Sequence, residues 1–197
     1  MELRLHGRGG QGGVTCAKIL AACYARAGKH VQAFADHAGE RFSAASRREA
    51  TNTTPRGKTQ RKKDIVAIMA ANRVPYAATV SLAHPEDALR NMRAALDLQG
   101  FRSLHELAPC QTGCKSESAD GVELICLAVR SGLFLVHEVF DGRRKAINVE
   151  PELSLDPLRK YFALQVRFNG DGVHVEARSR SLNEDWANLR RAALWEM

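Results

Sequence analysis

The stretch "LRLHGRGGQGGVTCAKILAACYARAGKHVQAFAD", residues 3–36, decides the class of fold. Residues 3–6 are predicted to form a strand, residues 14–27 a helix that ends at Gly28, and residues 30–35 a second strand. A helix that connects two strands in this way forms a βαβ unit, in which the two strands run parallel. The stretch therefore predicts an α/β protein.

Glycines Gly7, Gly9 and Gly12 follow the first predicted strand with the spacing G-x-G-x-x-G, and Asp36 stands at the end of the second. Glycine lets the backbone approach an anion closely, and the following helix presents free N–H groups at its N-terminus. The loop is not a Walker A loop, because Gly13 occupies the position of the lysine. Two interpretations stay open: a loop that binds a dinucleotide or another anion, and a tight turn that only packs.

The remaining residues continue the alternation of helices and strands. Helices are predicted at residues 63–72, 84–100 and 121–132 and from Ser181 onward, and strands at 74–82, 101–109 and 133–142, with a hairpin whose turn is "GDG" at 170–172. The prediction is an α/β fold with a mostly parallel sheet flanked by helices, followed by a C-terminal hairpin and helix. Four segments are expected, at 1–46, 47–63, 64–170 and 171–197.

Composition limits the class of protein. The 197 residues are 45% hydrophobic and carry a formal charge of +7. There is no apolar run of about 18 residues and the first residues do not resemble a secretory signal, so a cytoplasmic protein without a membrane partner is expected. Five cysteines without a paired C-x-x-C set predict neither a disulfide framework nor a zinc site.

Positive charge is concentrated in the connector at 47–63 and just before it. Between residues 41 and 63 there are eight basic residues and a single acidic residue, Glu49. The basic residues are Arg41, Arg47, Arg48, Arg56, Lys58, Arg61, Lys62 and Lys63. Either this stretch is a solvated basic connector, or it meets phosphate or an acidic partner subunit. Nucleic acid is not the expected partner.

The identities of the residues in the glycine loop are more specific than the spacing of its glycines. "GRGGQG" at residues 7–12, the "VT" that follows, and "HAGERF" at 37–42 resemble the opening of the gamma subunit of the 2-oxoacid:ferredoxin oxidoreductases, the family of pyruvate:ferredoxin oxidoreductase. The resemblance covers residues 1–46. Phe42 departs from the second arginine of the family's "GPERRG"-like turn.

Residues 50–170 resemble a different part of the same enzymes, the C-terminal half of the beta subunit. The similar motifs are "TTPRGK", "KKD", "IMAANRVPYAAT", "PED", "LAPCQTG" and "YFALQVRF". The chain thus resembles a gamma beginning joined to a beta ending.

The resemblance implies a set of cofactors and partners. Such enzymes use thiamine diphosphate with Mg²⁺ to cleave a 2-oxoacid, pass electrons through [4Fe–4S] clusters to ferredoxin, and in many members transfer the acyl group to coenzyme A. The expected partners are alpha-, beta- and delta-like subunits and ferredoxin. The resemblance makes Cys110 a cluster ligand, whose three usual companions belong to the N-terminal half of the beta subunit, outside the match. It gives cofactor-binding roles to Gly7, Arg8, Gly9, Gly10, Gln11, Gly12, Thr53, Thr54 and Lys58.

No catalytic residue is assigned to this chain, because thiamine performs the carbon chemistry of such enzymes. Cys114 stands where the family usually has Trp, and it is either a new ligand or an exposed thiol. Cys16, Cys23 and Cys126 are predicted to be packing residues. His6, His84 and His105 are predicted to be structural or to line a cleft.

Three hypotheses about function follow. The first is a subunit, or a truncated fusion homologue, of a thiamine-dependent 2-oxoacid:ferredoxin oxidoreductase that acts only with partner subunits. The second is a non-catalytic assembly or remnant module of that complex. The third is a dinucleotide-binding protein, which leaves the "LAPCQTG" resemblance unexplained.

Overall fold

The computed structural model describes residues 13–26, 28, 64–109, 115–168 and 175–194. The helices in these ranges are α1 (Gly13–Arg26), α2 (Ile65–Ala71), α3 (Pro85–Asp97), α4 (Gly121–Arg130), α5 (Leu155–Ala163) and α6 (Val175–Leu194). The strands are β1 (Tyr76–Val80), β2 (Arg102–Glu106), β3 (His137–Phe140) and β4 (Arg144–Ile147), and short 3₁₀ turns occur at Ser118–Asp120 and Val166–Phe168.

The four strands form one mixed sheet in the order β2-β1-β3-β4. Strands β1 and β2 are parallel, with Tyr76 opposite Arg102 and Val80 opposite Glu106, and α3 crosses between them. Strand β3 runs antiparallel to both β1 and β4. The predicted α/β class is confirmed. Over the described strands the sheet is mixed rather than mostly parallel, with one parallel and two antiparallel pairings. The β3–β4 pair is antiparallel because a tight turn joins the two strands, whereas a parallel connection needs a crossover of a dozen or more residues.

The turn between β3 and β4 combines two left-handed residues. Asp141 has φ of 52° and Gly142 has φ of 68°. Positive φ at both central residues is typical of the type I′ turn that Asp-Gly favours in hairpins. A Cβ on Gly142 would overlap the carbonyl oxygen of Ala70 and lie 2.9 Å from Cα of Arg73. Glycine is therefore required both by the backbone conformation and by the close approach of the end of α2.

Strand β1 is the centre of the core, and every one of its residues is buried. On one face Ala77 packs with Val66 and Ala70 of α2. On the other face Tyr76 and Ala78 pack against Ala95 of α3. Helix α3 begins with Pro85 at its N-terminus and buries Ala88, Asn91 and Ala95. Residues three and four apart share one face of a helix, so this spacing explains why α3 lies flat on the sheet.

Helix α4 packs beyond the carboxyl ends of β1 and β2, while α5 packs against α4 and α6 packs against α5. The apolar cluster that contains Val129 of α4 also contacts Ala83 and Leu107, which follow β1 and β2 respectively. A second cluster joins Leu158 and Phe162 of α5 to Leu182 of α6. The carboxyl edge of the parallel pair is thus covered by a helical layer.

The predicted C-terminal hairpin is wrong over the residues that the structure describes. Helix α5 ends at Ala163, a 3₁₀ turn occupies Val166–Phe168, and α6 begins at Val175 instead of Ser181. Val175, Leu182 and Trp186 are spaced seven and four residues apart, and the first two pack into the α5 cluster. This helical spacing outweighs the β-branched residues that suggested a strand.

The other predicted helices and strands between residues 64 and 142 are confirmed, as is the helix after the glycine loop. The predicted strands at 3–6 and 30–35 and the basic connector lie outside the described residues. The segment boundaries stay predictions. Within the described ranges, each helix is too short or too polar to cross a membrane.

Candidate functional site

All ten predicted site residues lie outside the residues that the structure describes. They are Gly7, Arg8, Gly9, Gly10, Gln11, Gly12, Thr53, Thr54, Lys58 and Cys110. Their roles stay predictions. The structure does describe the elements that lead into these positions: helix α1 after the glycine loop, and strand β2 before Cys110.

Helix α1 begins at Gly13, immediately after the last glycine of the loop. Its first turn contains no acidic residue. The N-terminus of a helix carries partial positive charge and unpaired N–H groups, and a carboxylate in the first turn would compete with a bound anion. The start of α1 is therefore compatible with an anion at the glycine loop.

The segment that leads to Cys110 is fixed by packing. It leaves β2 at Glu106, next to the carboxyl end of β1, where Val80 is the partner of Glu106. Leu107 packs into the α4 cluster. The Cγ atom of Pro109 lies 3.7 Å from the position of a Cβ built on Gly121, the first residue of α4. The residue before Cys110 is thus held at the carboxyl edge of the parallel pair, beside the start of α4.

The chain is anchored again directly after the undescribed residues 110–114. Lys115 has φ of 50°, and its carbonyl oxygen accepts a hydrogen bond of 3.1 Å from the N–H of Val166. The neighbouring Gln165 is fully buried, and its Nε2 donates a bond of 2.7 Å to the carbonyl of Tyr161. The two residues that flank the stretch with Cys110 and Cys114 therefore lie beside the start of α4 and beside the turn after α5.

The carboxyl end of β1 carries a buried hydroxyl group that joins it to β3. The Oγ1 of Thr79 donates a bond of 2.7 Å to the carbonyl of Leu135 and accepts one of 2.8 Å from the N–H of His137. Burial lowers the pKa of His137 below its usual value, although the nearby carbonyl of Leu135 acts in the opposite direction. His137 is therefore neutral at pH 7.

His105 and His84 differ in their surroundings. The ring of His105 meets the ring of Phe134 edge to face, with centroids 5.4 Å apart. His84 precedes α3 at the N-cap position, but its side chain makes no capping hydrogen bond. The contact of His105 agrees with the packing role that the sequence predicts for it.

A network of polar side chains that the sequence did not predict lies between α3 and β3. The hydroxyl of Tyr76 donates a hydrogen bond of 2.9 Å to Oε2 of Glu138. The other oxygen of Glu138 accepts a bond of 3.2 Å from Arg90. Burial, followed by the bond to Glu138, raises the pKa of Tyr76, so the phenol stays protonated and remains a donor.

The same network continues toward the carboxyl edge of β1. Arg90 also pairs with Asp87 on the preceding turn of α3. The second oxygen of Asp87 accepts bonds from Nδ2 of Asn91 at 3.3 Å and from Nδ2 of Asn148 at 3.4 Å. Every carboxylate oxygen of Asp87 and Glu138 thus has a donor. One signal for this network was available in the sequence, because Asn91 interrupts the alanines on the buried face of α3.

The described residues do not by themselves hold an iron–sulfur cluster. In the described ranges Cys16 is exposed on α1, Cys126 is half-buried on α4, and nowhere do three His, Cys, Asp or Glu side chains converge to hold a metal. A [4Fe–4S] cluster takes four thiolates that converge on one point. No step of a reaction is therefore assigned to the described side chains.

Comparison with known proteins agrees with both sequence resemblances. A profile of the family described as pyruvate ferredoxin/flavodoxin oxidoreductase matches residues 2–75. The ketoisovalerate oxidoreductase subunit VorB of Pyrococcus horikoshii is 33% identical over 149 residues, which are 73% of this chain and 48% of VorB.

Two pyruvate synthase subunits give matches of the same kind. PorB of Methanocaldococcus jannaschii is 34% identical over 134 residues, 66% of this chain and 44% of PorB. PorB of Methanothermobacter marburgensis is 37% identical over 123 residues, 60% of this chain and 42% of PorB. The chain spans about half the length of the curated relatives it matches.

The family profile covers the glycine loop, and the VorB and PorB matches extend over most of the chain. The chain belongs to the 2-oxoacid:ferredoxin oxidoreductase family.

Proposed function

We propose that this chain is a subunit of a cytoplasmic, thiamine-dependent 2-oxoacid:ferredoxin oxidoreductase and contributes to oxidative decarboxylation only together with partner subunits. Its relatives are named as subunits of ketoisovalerate oxidoreductase and pyruvate synthase. Both names describe subunits, which supports an assembly with other chains, and in the proposal those chains complete the site.

The observation that carries the proposal is the position of the segment before Cys110. It leaves β2 at the carboxyl edge of the parallel pair β1–β2 and is anchored by Pro109 against α4. Sites in open α/β sheets form at the carboxyl ends of parallel strands. Pro109, the residue before Cys110, lies at that edge, and in the proposal Cys110 is one thiolate ligand of a [4Fe–4S] cluster.

The remaining ligands and cofactors are proposed to come from the complex. Gly7, Arg8, Gly9, Gly10, Gln11 and Gly12 line the glycine loop at the start of α1 and would hold an anionic group, of which coenzyme A is one candidate. Thr53, Thr54 and Lys58 would border thiamine diphosphate and its Mg²⁺. When bound, thiamine supplies the carbon chemistry, and the role of this chain is to bind and orient.

The second candidate function is a non-catalytic assembly module of the same complex. The observation that favours it is that the segment before Cys110 is held by packing, with Leu107 in the α4 cluster and Pro109 beside Gly121, as a purely structural role would also require. This candidate keeps the family fold and the contacts with other subunits, and it predicts a chain that binds neither iron nor thiamine.

Anaerobic co-expression with the adjacent genes, followed by iron and sulfide analysis and an absorption spectrum, separates the two candidates. The subunit proposal predicts a co-purifying partner and a brown complex with broad absorption near about 400 nm. Cys110→Ser is expected to remove the iron and sulfide that depend on this ligand.

Cys126→Ser and Cys16→Ser are the matched controls, because one cysteine is half-buried in α4 and the other is exposed on α1. Both variants are expected to keep the cluster. A complex that assembles without colour, iron or thiamine supports the assembly module. An isolated chain that retains a nicotinamide or flavin nucleotide would favour the dinucleotide-binding hypothesis.

A further inference from the structure

The outer surface of the β1–α3–β2 unit carries a concentration of exposed apolar side chains. Leu89, Met92 and Leu96 lie on α3 at positions three and four residues apart, and their side chains are 54%, 37% and 52% exposed. Leu104 of β2 is also exposed. This spacing places the three α3 residues on a single face of the helix, next to the buried face of Ala88 and Ala95.

The direction of this apolar stripe follows from the polar network on the opposite side of α3. Asp87 and Arg90 contact Glu138 and Asn148, so that side of the helix faces β3 and the residue after β4. Leu89, Met92 and Leu96 therefore lie on the side of α3 that faces β2. Leu104 is the register partner of Ala78, which packs on the α3 face, so Leu104 belongs to the same surface.

Strand β2 is an edge of the described four-stranded sheet. An edge strand presents a row of backbone N–H and C=O groups that can pair with another strand. The residues of β2 that share the α3 face are Arg102, Leu104 and Glu106, because they are opposite Tyr76, Ala78 and Val80. Along this face, β2 therefore presents a basic, an apolar and an acidic side chain in turn.

We infer that this surface binds a second copy of the chain, through antiparallel pairing of β2 with β2 of the partner copy about a twofold axis at Leu104. In that register Arg102 of each copy lies opposite Glu106 of the other, and Leu104 lies opposite its own counterpart. The charge sequence of β2 is thus complementary to itself. A closed dimer of two copies requires a self-complementary surface of this kind.

The same axis brings the two apolar stripes together. Helix α3 covers β1 and β2 on one face of the sheet, and neighbouring strands lie about 4.8 Å apart. Two α3 helices that flank a β2–β2 junction are then separated by roughly 10 Å, which is the usual distance between packed helices. Leu89, Met92 and Leu96 of the two copies would face each other across the junction.

The surroundings of Glu106 support the pairing. No hydrogen bond or ion pair is found for its carboxylate within the described part of the chain. Loss of water around the carboxyl group nevertheless raises the pKa of Glu106. The Glu106 side chain is exposed, so a guanidinium from a second copy can reach it. Arg102 has a donor available, because its Nε and NH1 bind the carbonyls of Ala95 and Gly100 while NH2 makes neither bond.

Sedimentation velocity over a range of protein concentrations tests this inference with no cofactor present. The unmodified chain is expected to form a dimer. Arg102→Glu and Glu106→Arg each place like charges at both symmetric positions, and each is expected to raise the dimer dissociation constant on the order of tenfold or more. The double variant R102E/E106R restores opposite charges and is expected to restore the dimer.

The control is Lys160→Glu, which reverses the same charge on the exposed surface of α5 and is expected to leave the dimer unchanged. Glu106→Arg keeps the hydrogen bonds of Arg102 to Ala95 and Gly100, so its effect does not depend on their loss. Leu96→Glu tests the helical part, and it is expected to weaken the dimer without changing the far-ultraviolet circular dichroism spectrum.

A chain that stays monomeric at every concentration overturns the inference, and so does a dimer that tolerates both single charge reversals. If Leu96→Glu instead abolishes binding of a co-expressed subunit and no dimer forms, the surface belongs to that other chain. These results are independent of the iron analysis, so the dimer and the role of Cys110 can fail separately.

Discussion

Tyr76 and Glu138 are joined by a buried hydrogen bond of 2.9 Å between neighbouring antiparallel strands. Tyr76 is fully buried, and Glu138 is 7% exposed. The phenol satisfies one oxygen of the carboxylate and Arg90 satisfies the other. The pair therefore fixes α3 to the centre of the sheet through polar contacts, in addition to the apolar contacts of Ala78 and Ala95.

Removing only the hydroxyl tests the value of this bond. Tyr76→Phe keeps the ring and its contact with Phe140, but it leaves a buried carboxylate oxygen without its donor. We expect the free energy of unfolding to fall by about 1–3 kcal/mol in urea denaturation. Glu138→Gln is the companion variant, and it is expected to weaken the Arg90 bond as well. Unchanged stability in Tyr76→Phe would show that water replaces the phenol.

Thr79 provides a second test of buried polar contacts. Thr79→Val preserves the shape of the side chain but removes the hydroxyl that bonds Leu135 and His137. Two buried backbone groups then lose a partner, so we expect a loss of about 1–3 kcal/mol. Thr79→Ser keeps the hydroxyl and is expected to retain more stability than the valine variant. Equal stability of the two variants would contradict a role for the hydroxyl.

His137 is expected to make the fold sensitive to acid. Its pKa in the folded state is lowered by burial, so the unfolded chain binds more protons whenever pH falls below about 6.5, the usual histidine value. The contribution is constant above that pH. Below it, stability falls by up to about 1.4 kcal/mol per pH unit until the folded pKa is reached. Urea denaturation at pH 5 to 8 measures this slope.

His137→Gln is expected to remove this contribution to the slope, at a cost in stability at pH 7. His84→Gln, at the half-buried position before α3, is the control and should keep the slope. The role of His137 is refuted if both variants show the same pH dependence as the unmodified chain.

Gly142 and Gly121 form a matched pair of glycines. Gly142→Ala places a side chain at positive φ and against the backbone of Ala70, so we expect a loss of at least about 2 kcal/mol. Gly121 has φ of −57° at the start of α4, and an added Cβ meets only Pro109 at 3.7 Å. Gly121→Ala is therefore expected to change stability by less than about 1 kcal/mol. Thermal denaturation of both variants checks the difference.

The sequence predicted local structure well where periodicity and stop signals agreed. Pro85, followed by the acidic residues Glu86 and Asp87, marked the start of α3. Gly132, which follows α4, has positive φ, as is typical of a glycine that ends a helix. The β3–β4 hairpin was missed although Asp141 and Gly142 carried its signal. The final helix was placed six residues late, because Val173 and Val175 resemble strand residues until the packing of Val175 against the α5 cluster is seen.

The sequence by itself determined the α/β class, the family and the candidate residues of the site. These conclusions depend on hydrophobic periodicity, glycine spacing and the residues of short motifs, all of which can be seen in the sequence without the fold. Only the tertiary structure decided that β1 pairs with β3 as well as β2, that Asp87, Arg90 and Glu138 form one network, and that the apolar stripe of α3 lies beside the β2 edge. These relationships join residues as many as 62 positions apart in the chain, as Tyr76 and Glu138 are. Local patterns do not encode such distances, since the strand order depends on how all the elements bury their apolar faces together.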